Sequence, residues 1–239
     1  MKKPIVGVLG GLGPETTAKF YQSLIHKATT TSRPAVCIWS LPLNLQKEKE
    51  YIASGQHTSY YFHRLSQGQE RLARAGCTHI VIPCNTVHEF YESLQATSPI
   101  PLTNIIELTA AEVARRGWTS CTVLMTSRTR ATGLYQHALA KHHVAVSLPH
   151  PADQCLLDQA IMGLLGKHGG GMCGEFLQNM LARIGNTHIV LGCTDLQLAC
   201  MSGENIVDSM DVLASHTAGL AKATHARPRA RGVFGALHR

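Results

Sequence analysis

The chain has 239 residues, 44% of them hydrophobic and 15% charged, and a formal net charge of +7. That balance excludes a disordered chain, and the length lies near the upper limit of a single core, so one large domain or two of about 110 residues are expected. The excess charge is partly a tail. No Asp or Glu follows Asp211, whereas Lys222, Arg227, Arg229, Arg231 and Arg239 do. Residues 226–239, with Pro and Gly and no helical period, read as a disordered basic end, and nothing there has the aromatic interleaving or binding motif of a nucleic-acid arm.

The start, Met1-Lys2-Lys3-Pro4, has the charge of a signal peptide, but glycines at 10, 11 and 13 break the apolar run Ile5–Leu9 below the roughly 7 to 15 residues such a segment needs. No stretch approaches the roughly 20 apolar residues of a membrane span. A cytoplasmic protein without membrane contact is expected. Eight cysteines, at 37, 77, 84, 121, 155, 173, 193 and 200, include no Cys-x-x-Cys pair. Neither a disulfide framework nor a metal site is implied, and most should be small buried hydrophobes.

In chain order, Ile5–Leu9 is a strand that breaks into Gly10-Gly11-Leu12-Gly13-Pro14 before a helix from Glu15 to Ala28. Pro14 suits the first helical turn and Glu15 the positive end of the helix, so the loop should aim backbone N–H groups at whatever sits there. The third glycine of a dinucleotide loop is missing, the next strand (Ala35 to Leu41) ends in Trp39-Ser40 without an acidic residue for a ribose, and no phosphate-binding Gly-Lys-Ser/Thr loop occurs. The charged stretch Gln46 to Tyr51 follows, then a helix from Tyr60 to Ala75 closed by Gly76. After a strand at 78–82, helices are expected at Glu89–Gln95 and Ile105–Arg116, then a strand at Cys121–Met125, a loop at 126–132, a helix to Lys141, a strand at Val144–Leu148 and a helix at Leu156–Leu165. A Gly-rich loop (166–171), a helix Cys173–Ile184 and another strand complete the pattern. Alternating strands and helices imply an α/β fold with parallel sheets buried on both faces.

One phrase is written twice: Thr78-His-Ile-Val-Ile-Pro-Cys84-Asn85-Thr86, and Thr187-His-Ile-Val-Leu-Gly-Cys193-Thr194-Asp195. Both cysteines stand where a strand stops, the position at which open parallel sheets bind ligands. Polar residues behind each can open the next helix, and a thiol at a helix N-terminus has its pKa lowered, which would make it a base near neutrality. If the halves face each other, two thiols on opposite walls of a cleft can remove a proton from a carbon and return one to the far face, inverting a stereocentre.

The segments Gly10-Gly-Leu-Gly-Pro-Glu-Thr-Thr17, Pro83-Cys-Asn-Thr-Val-His88 and Leu191-Gly-Cys-Thr-Asp-Leu-Gln-Leu198, in this order, resemble the aspartate/glutamate racemase superfamily and within it the cofactor-independent aspartate racemase branch. The resemblance implies two pseudo-symmetric α/β domains, 1–103 and 104–207, with a helix near 208–225 packed back on the first. The active site would lie in the cleft between them. It implies racemisation of aspartate or glutamate with no cofactor and no metal, Cys84 and Cys193 acting as acid and base. Asn85, Thr86 and Thr194 would hold the α-carboxylate and amine, Ser127 and Thr129 belong to a hydroxyl loop, and Lys167 serves the distal carboxylate. A homodimer is the expected assembly and a small amino acid the partner. The arginine that usually holds the distal carboxylate is missing; the stretch reads Asn44-Leu-Gln-Lys47-Glu-Lys49, so Lys47 or Lys49 would have to replace it. Alternatives on the same scaffold are a maleate isomerase, a decarboxylase type that usually lacks one cysteine, and a non-catalytic amino-acid sensor. His88, one turn after Cys84, is expected on a helix face touching solvent, and His79 and His188 as packing or rim residues.

Overall fold

A computed structural model of the chain describes residues 4–28, 33–164, 179–184, 188–199 and 203–222. The first half runs β1 (Ile5–Gly10), α1 (Pro14–Ala28), β2 (Ala35–Ser40), α2 (Leu45–Ser54), α3 (Thr58–Arg74), β3 (His79–Val81), a 3-10 turn (Thr86–Phe90) and α4 (Tyr91–Thr97). The second runs α5 (Ile105–Arg115), β4 (Ser120–Leu124), α6 (Ser127–Thr132), α7 (Leu134–Ala140), β5 (Ala145–Ser147), α8 (Pro151–Leu164), β6 (Ile189–Leu191), a second 3-10 turn (Thr194–Ala199), β7 (Ile206–Asp208) and α9 (Ser209–Lys222). Among the described residues all strands pair in parallel, in two sheets ordered β2-β1-β3 and β5-β4-β6-β7.

Strand alternation explains how the halves join. Side chains one apart on a strand face opposite sides, and Val6, Val8 and Val81 of the first sheet enter the same core as Val123, Val190 and Val207 of the second. Between the sheets that core is filled from helices by Phe20, Leu24, Ile105, Val113, Met210 and Leu213, so α1, α5 and α9 form a layer common to both halves. The intervening residues turn outward into two smaller clusters, with Leu9, Ile80 and Ile82 packing on Tyr61, Leu65 and Leu72 in one, and Leu124, Ile189 and Leu191 on Leu157 and Ile161 in the other. Each fully buried Leu, Ile or Phe contributes about 1.5–3 kcal/mol. The helix at the chain's end packs against α1 of the first half as well as α5 of the second.

Four elements differ from the sequence reading. The stretch 126–132, expected as a loop, is α6, because the Thr126 side chain caps the Thr129 amide and Gly133 closes the helix at φ 70°. The charged run 46–51 lies in α2, capped by Asn44 through the Lys47 amide and ended by Gly55 in the left-handed region. The chain after each cysteine winds first as a 3-10 turn, so α4 begins only at Tyr91. Strand β7, which the sequence reading lacks, completes the second sheet beside β6. The Gly-rich loop 166–171, most of the helix 173–184 and the tail 226–239 lie outside the described residues.

Candidate active site

The repeated phrase produces the same local object twice. Each strand ends two or three residues before its cysteine, and the chain turns there into a 3-10 helix. The Cys84 sulfur faces the N–H groups of Thr86 and Val87, and the Cys193 sulfur those of Asp195 and Leu196. The offsets are two and three residues in both cases, as expected where a helix start leaves its first amides unbonded.

Those amides do not decide the thiol pKa. Burial pushes Cys84 up to about 12; the Val87 and Thr86 amides oppose this, while the charges of Asp195 and Glu48 add to it. Cys193 is pushed well above its ordinary value, first by burial and then by Asp195, against the amides of Asp195 and Leu196, with Cys84 a further raising charge. The expected lowering is therefore corrected: where a thiol is this deeply placed, losing water outweighs two amide dipoles. Cys193 is 5% exposed, whereas Cys84 keeps a partly open edge.

Carboxylates line the same place. Asp195 accepts from the Thr16 hydroxyl and from the Cys193 thiol at 3.8 Å. Gly13, at φ 82°, lets the glycine loop approach it; a Cβ there would stand 2.7 Å from Asp195 Oδ1. Burial pushes Asp195 up to about 6, against the Thr16 and Cys193 hydrogen bonds. Glu48, 6% exposed, accepts from the Gly13 amide and is pushed up to about 7 by burial first and by Asp195 second. The Gly11 amide bonds the Thr17 hydroxyl at 3.0 Å, so the Gly11 and Gly13 amides of the loop, expected to point at whatever sits there, are engaged within the protein.

The residues implied as substrate binders come together along a polar seam between the halves. Thr194 donates to Pro83 O at 3.1 Å. Thr86 meets Thr126 at 3.2 Å and Thr129 at 3.1 Å, and Thr126 meets Thr129 at 2.9 Å. Asn85 donates to Ser209 at 3.0 Å and accepts from the Tyr135 hydroxyl at 2.7 Å. Ser127 makes none of these bonds: its hydroxyl and amide bond Asp158 of α8. Lys167 lies outside the described residues. Lys47 sits 4.5 Å over the Tyr60 ring and Lys49 is exposed; between them α2 buries Glu48, together with Tyr51 and Ile52.

His88 is 3% exposed rather than at the surface. The Ile105 amide can only donate, so Nε2 accepts it at 3.3 Å and Nδ1 carries the proton that reaches Cys84 O at 2.7 Å. The ring braces the first thiol turn against α5, and burial pushes its pKa down to about 4. His79 bonds the Thr78 hydroxyl, and His188 stacks on Trp118 with centroids 4.4 Å apart. Behind the first turn, Arg128 pairs through two nitrogens with Glu89, which also accepts from Tyr51. Sequence reasoning missed Thr16, Thr126, Asp195 as a seam residue and Glu48. For Glu48 a signal existed, because Tyr51 and Ile52 follow it at helical spacing of three and four.

A groove of about 870 Å³ opens elsewhere, between α1, α5 and α9, lined by Lys19, Glu112, Arg116, Asp208 and His216 among others. It contains no thiol, and the cysteine turns hold the groups suited to proton transfer. Among the described residues no cluster of three His, Cys, Asp or Glu could hold a metal ion, and no helix is long and apolar enough to cross a membrane.

Among curated proteins the chain is similar to the broad specificity amino-acid racemase RacX of Bacillus subtilis, 26% identical over 142 residues, or 56% of this chain and 60% of that protein's length. Among solved structures it is similar to an aspartate racemase homologue from Pyrococcus horikoshii, at 24% identity and TM-score 0.73 over 93% of this chain and 100% of the other. It is also similar to the Picrophilus torridus aspartate racemase (21%, TM-score 0.76, 90% and 94%) and a Francisella tularensis glutamate racemase solved with D-glutamate (15%, TM-score 0.62, 92% and 81%). These structures share its fold, two parallel sheets flanked by helices. The model of the Asp/Glu/Hydantoin racemase family matches residues 9–217, taking in the glycine loop and both cysteine turns, and the chain belongs to that family.

Proposed function

We propose that the protein racemises an amino acid without cofactor or metal, with Cys84 and Cys193 as the two bases. The observation that carries the reading is the pair of thiols placed identically over two helix-start amides, with the charge of one felt by the other. One cysteine as thiolate takes the α-proton while the other, as thiol, gives its proton to the opposite face; the roles exchange in the reverse direction. An α-proton is far less acidic than a thiol, so the developing negative charge on the carboxylate side has to be held by fixed donors. Asn85, Thr86, Thr129 and Thr194 are the donors of the seam, and the bonds they now make, Thr86 with Thr129, Asn85 with Ser209 and Tyr135, and Thr194 with Pro83 O, are those a carboxylate and an ammonium would replace.

Burial and Asp195 keep both sulfurs protonated on their own. An incoming α-ammonium offsets Asp195 and lowers the cost of one thiolate, so the base is formed by the substrate that needs it. Domains 1–103 and 104–207 would supply one wall each and a homodimer would be the working form. The test is α-proton exchange in deuterated water, followed from each enantiomer of aspartate, glutamate and a panel of other amino acids, with nothing else added. Exchange and inversion from both enantiomers of at least one amino acid is expected; a folded protein that exchanges none of them ends the reading. Maleate in the same panel separates the isomerase alternative.

A further inference from the structure

Each thiol turn is gripped near its far end by a cation from the opposite half. In the turn that follows Cys84, Glu89 accepts from Arg128 of α6 through two nitrogens, Nε at 3.1 Å and Nη2, and Tyr51 of α2 donates to the same carboxylate. The pair is largely withdrawn from water, the Arg128 and Glu89 side chains being 23% and 11% exposed. Gly55, which closes α2 at φ 74°, leaves the space that the guanidinium fills; a Cβ there would stand 2.4 Å from Arg128 Nη1. In the turn that follows Cys193, the Gln197 carbonyl accepts from Lys19 of α1 at 2.7 Å, and the Gln197 side chain donates to Asp208 at 2.7 Å. A carbonyl in the last turn of a helix has no partner within it, and a cation there complements the negative helix end.

The halves thus hold each other's thiol turn crosswise. The shared apolar core fixes the two sheets, but both cysteine turns stand beyond the strand ends, and their inclination depends on what grips them there. Resting on the racemase reading, we propose that Lys19 and Arg128 are positioning residues, a pair of crossed braces that set the gap between the Cys84 and Cys193 sulfurs. The bidentate contact of Arg128 with Glu89 fixes direction as well as distance, and the bond from Lys19 pins the second turn to α1. Inversion needs the α-carbon within reach of both sulfurs, whereas removing and returning a proton on one face needs only one of them. A misplacement of about 1 Å costs on the order of 100-fold in rate, so a loosened brace weakens inversion out of proportion to one-face exchange.

The experiment compares Arg128→Gln and Lys19→Met with the wild type, as full chains in deuterated water, for inversion and for α-deuteration with retained configuration. Each variant is expected to lose inversion by about 10- to 100-fold while one-face exchange falls by less than about 3-fold. Arg128→Lys, which keeps the charge without the fork, should lie between the wild type and Arg128→Gln. Equal losses of inversion and exchange, or no loss of either, would overturn the braces, because a variant that is merely less well folded loses both together. Iodoacetamide labelling read by peptide mapping answers the question without turnover. Loosening either brace should speed both Cys84 and Cys193 by about 3- to 10-fold, with Cys121, fully buried in the shared core, unchanged. A response confined to the cysteine of the braced turn, or one shared by Cys121, would overturn the proposal. If the wild type exchanges no amino acid, the racemase reading falls, and labelling alone decides whether the braces set the gap.

Discussion

The two cysteine turns are copies in backbone and unlike in surroundings. Cys84 keeps a partly open edge, is followed by buried Asn85 and Thr86 that face the second half, and is acted on by two carboxylates, Glu48 and Asp195. Cys193 is nearly closed off and donates to Asp195, two residues along its own turn, which Thr16 of the other half grips. Duplication of a strand thus fixes where a thiol stands and which amides it meets, while its proton affinity is set by side chains arriving from other elements. In the proposed two-base reaction one sulfur is a thiol and the other a thiolate at any moment, and the unequal surroundings bear on which form each holds more readily.

The strongest way to break the comparison is to remove one sulfur at a time. Cys84→Ser and Cys193→Ser should each lower racemisation by about 10²–10⁴-fold. In deuterated water each variant should still exchange the α-proton of one enantiomer without inverting it, and the enantiomer should differ between the two. NMR of the recovered amino acid reads this directly, and loss of the same enantiomer in both variants would show that the turns do not face opposite sides of the substrate.

The next test uses pH. Asp195 (about 6) and Glu48 (about 7) both lie above the ordinary carboxylate value in the folded state. Each therefore contributes stability that is present below about pH 4 and is lost as pH rises through its folded value. Glu48→Gln removes the larger of these costs, so urea titrations should show the variant gaining on the wild type by on the order of 2 kcal/mol between pH 4 and pH 8. A constant difference across that range would mean Glu48 is solvated. His88 has the opposite sign, its contribution being present above about 6.5 and lost as pH falls through about 4, and it cancels in the difference between the two proteins.

Thiol labelling sharpens the comparison further. Asp195 acts on both sulfurs and Glu48 chiefly on Cys84. Iodoacetamide at pH 8, read by peptide mass mapping, should label Cys84 before Cys193 in the wild type. Asp195→Asn should speed both by about 3- to 10-fold, and Glu48→Gln should speed Cys84 alone. The smallest effect belongs to the seam: Thr194→Val leaves Pro83 O without its donor and should cost about 1 kcal/mol, visible as a lower Tm. Thr86→Val removes one member of a three-hydroxyl cluster whose other two still bond each other, and should cost less.

The sequence by itself determined the alternation of strands and helices, the glycine loop and the placing of Cys84 and Cys193 at strand ends, because each of these is written in local order: apolar runs, glycines, and a phrase repeated. It also carried α2 and α6, in Asn44 and Thr126 as caps and Gly55 and Gly133 as stops, although charge in one and hydroxyls in the other masked them. What only the tertiary structure decided is which groups meet: Thr16 with Asp195, Thr194 with Pro83, Asn85 with Ser209, and Glu48 with Gly13. Those partners are far apart in the chain or on separate elements, and no local pattern links them. The thiol pKa shows why this matters physically. The amide dipoles that lower it come from residues two and three places along, whereas the burial and charge that raise it come from the assembled fold, and the assembled fold prevails.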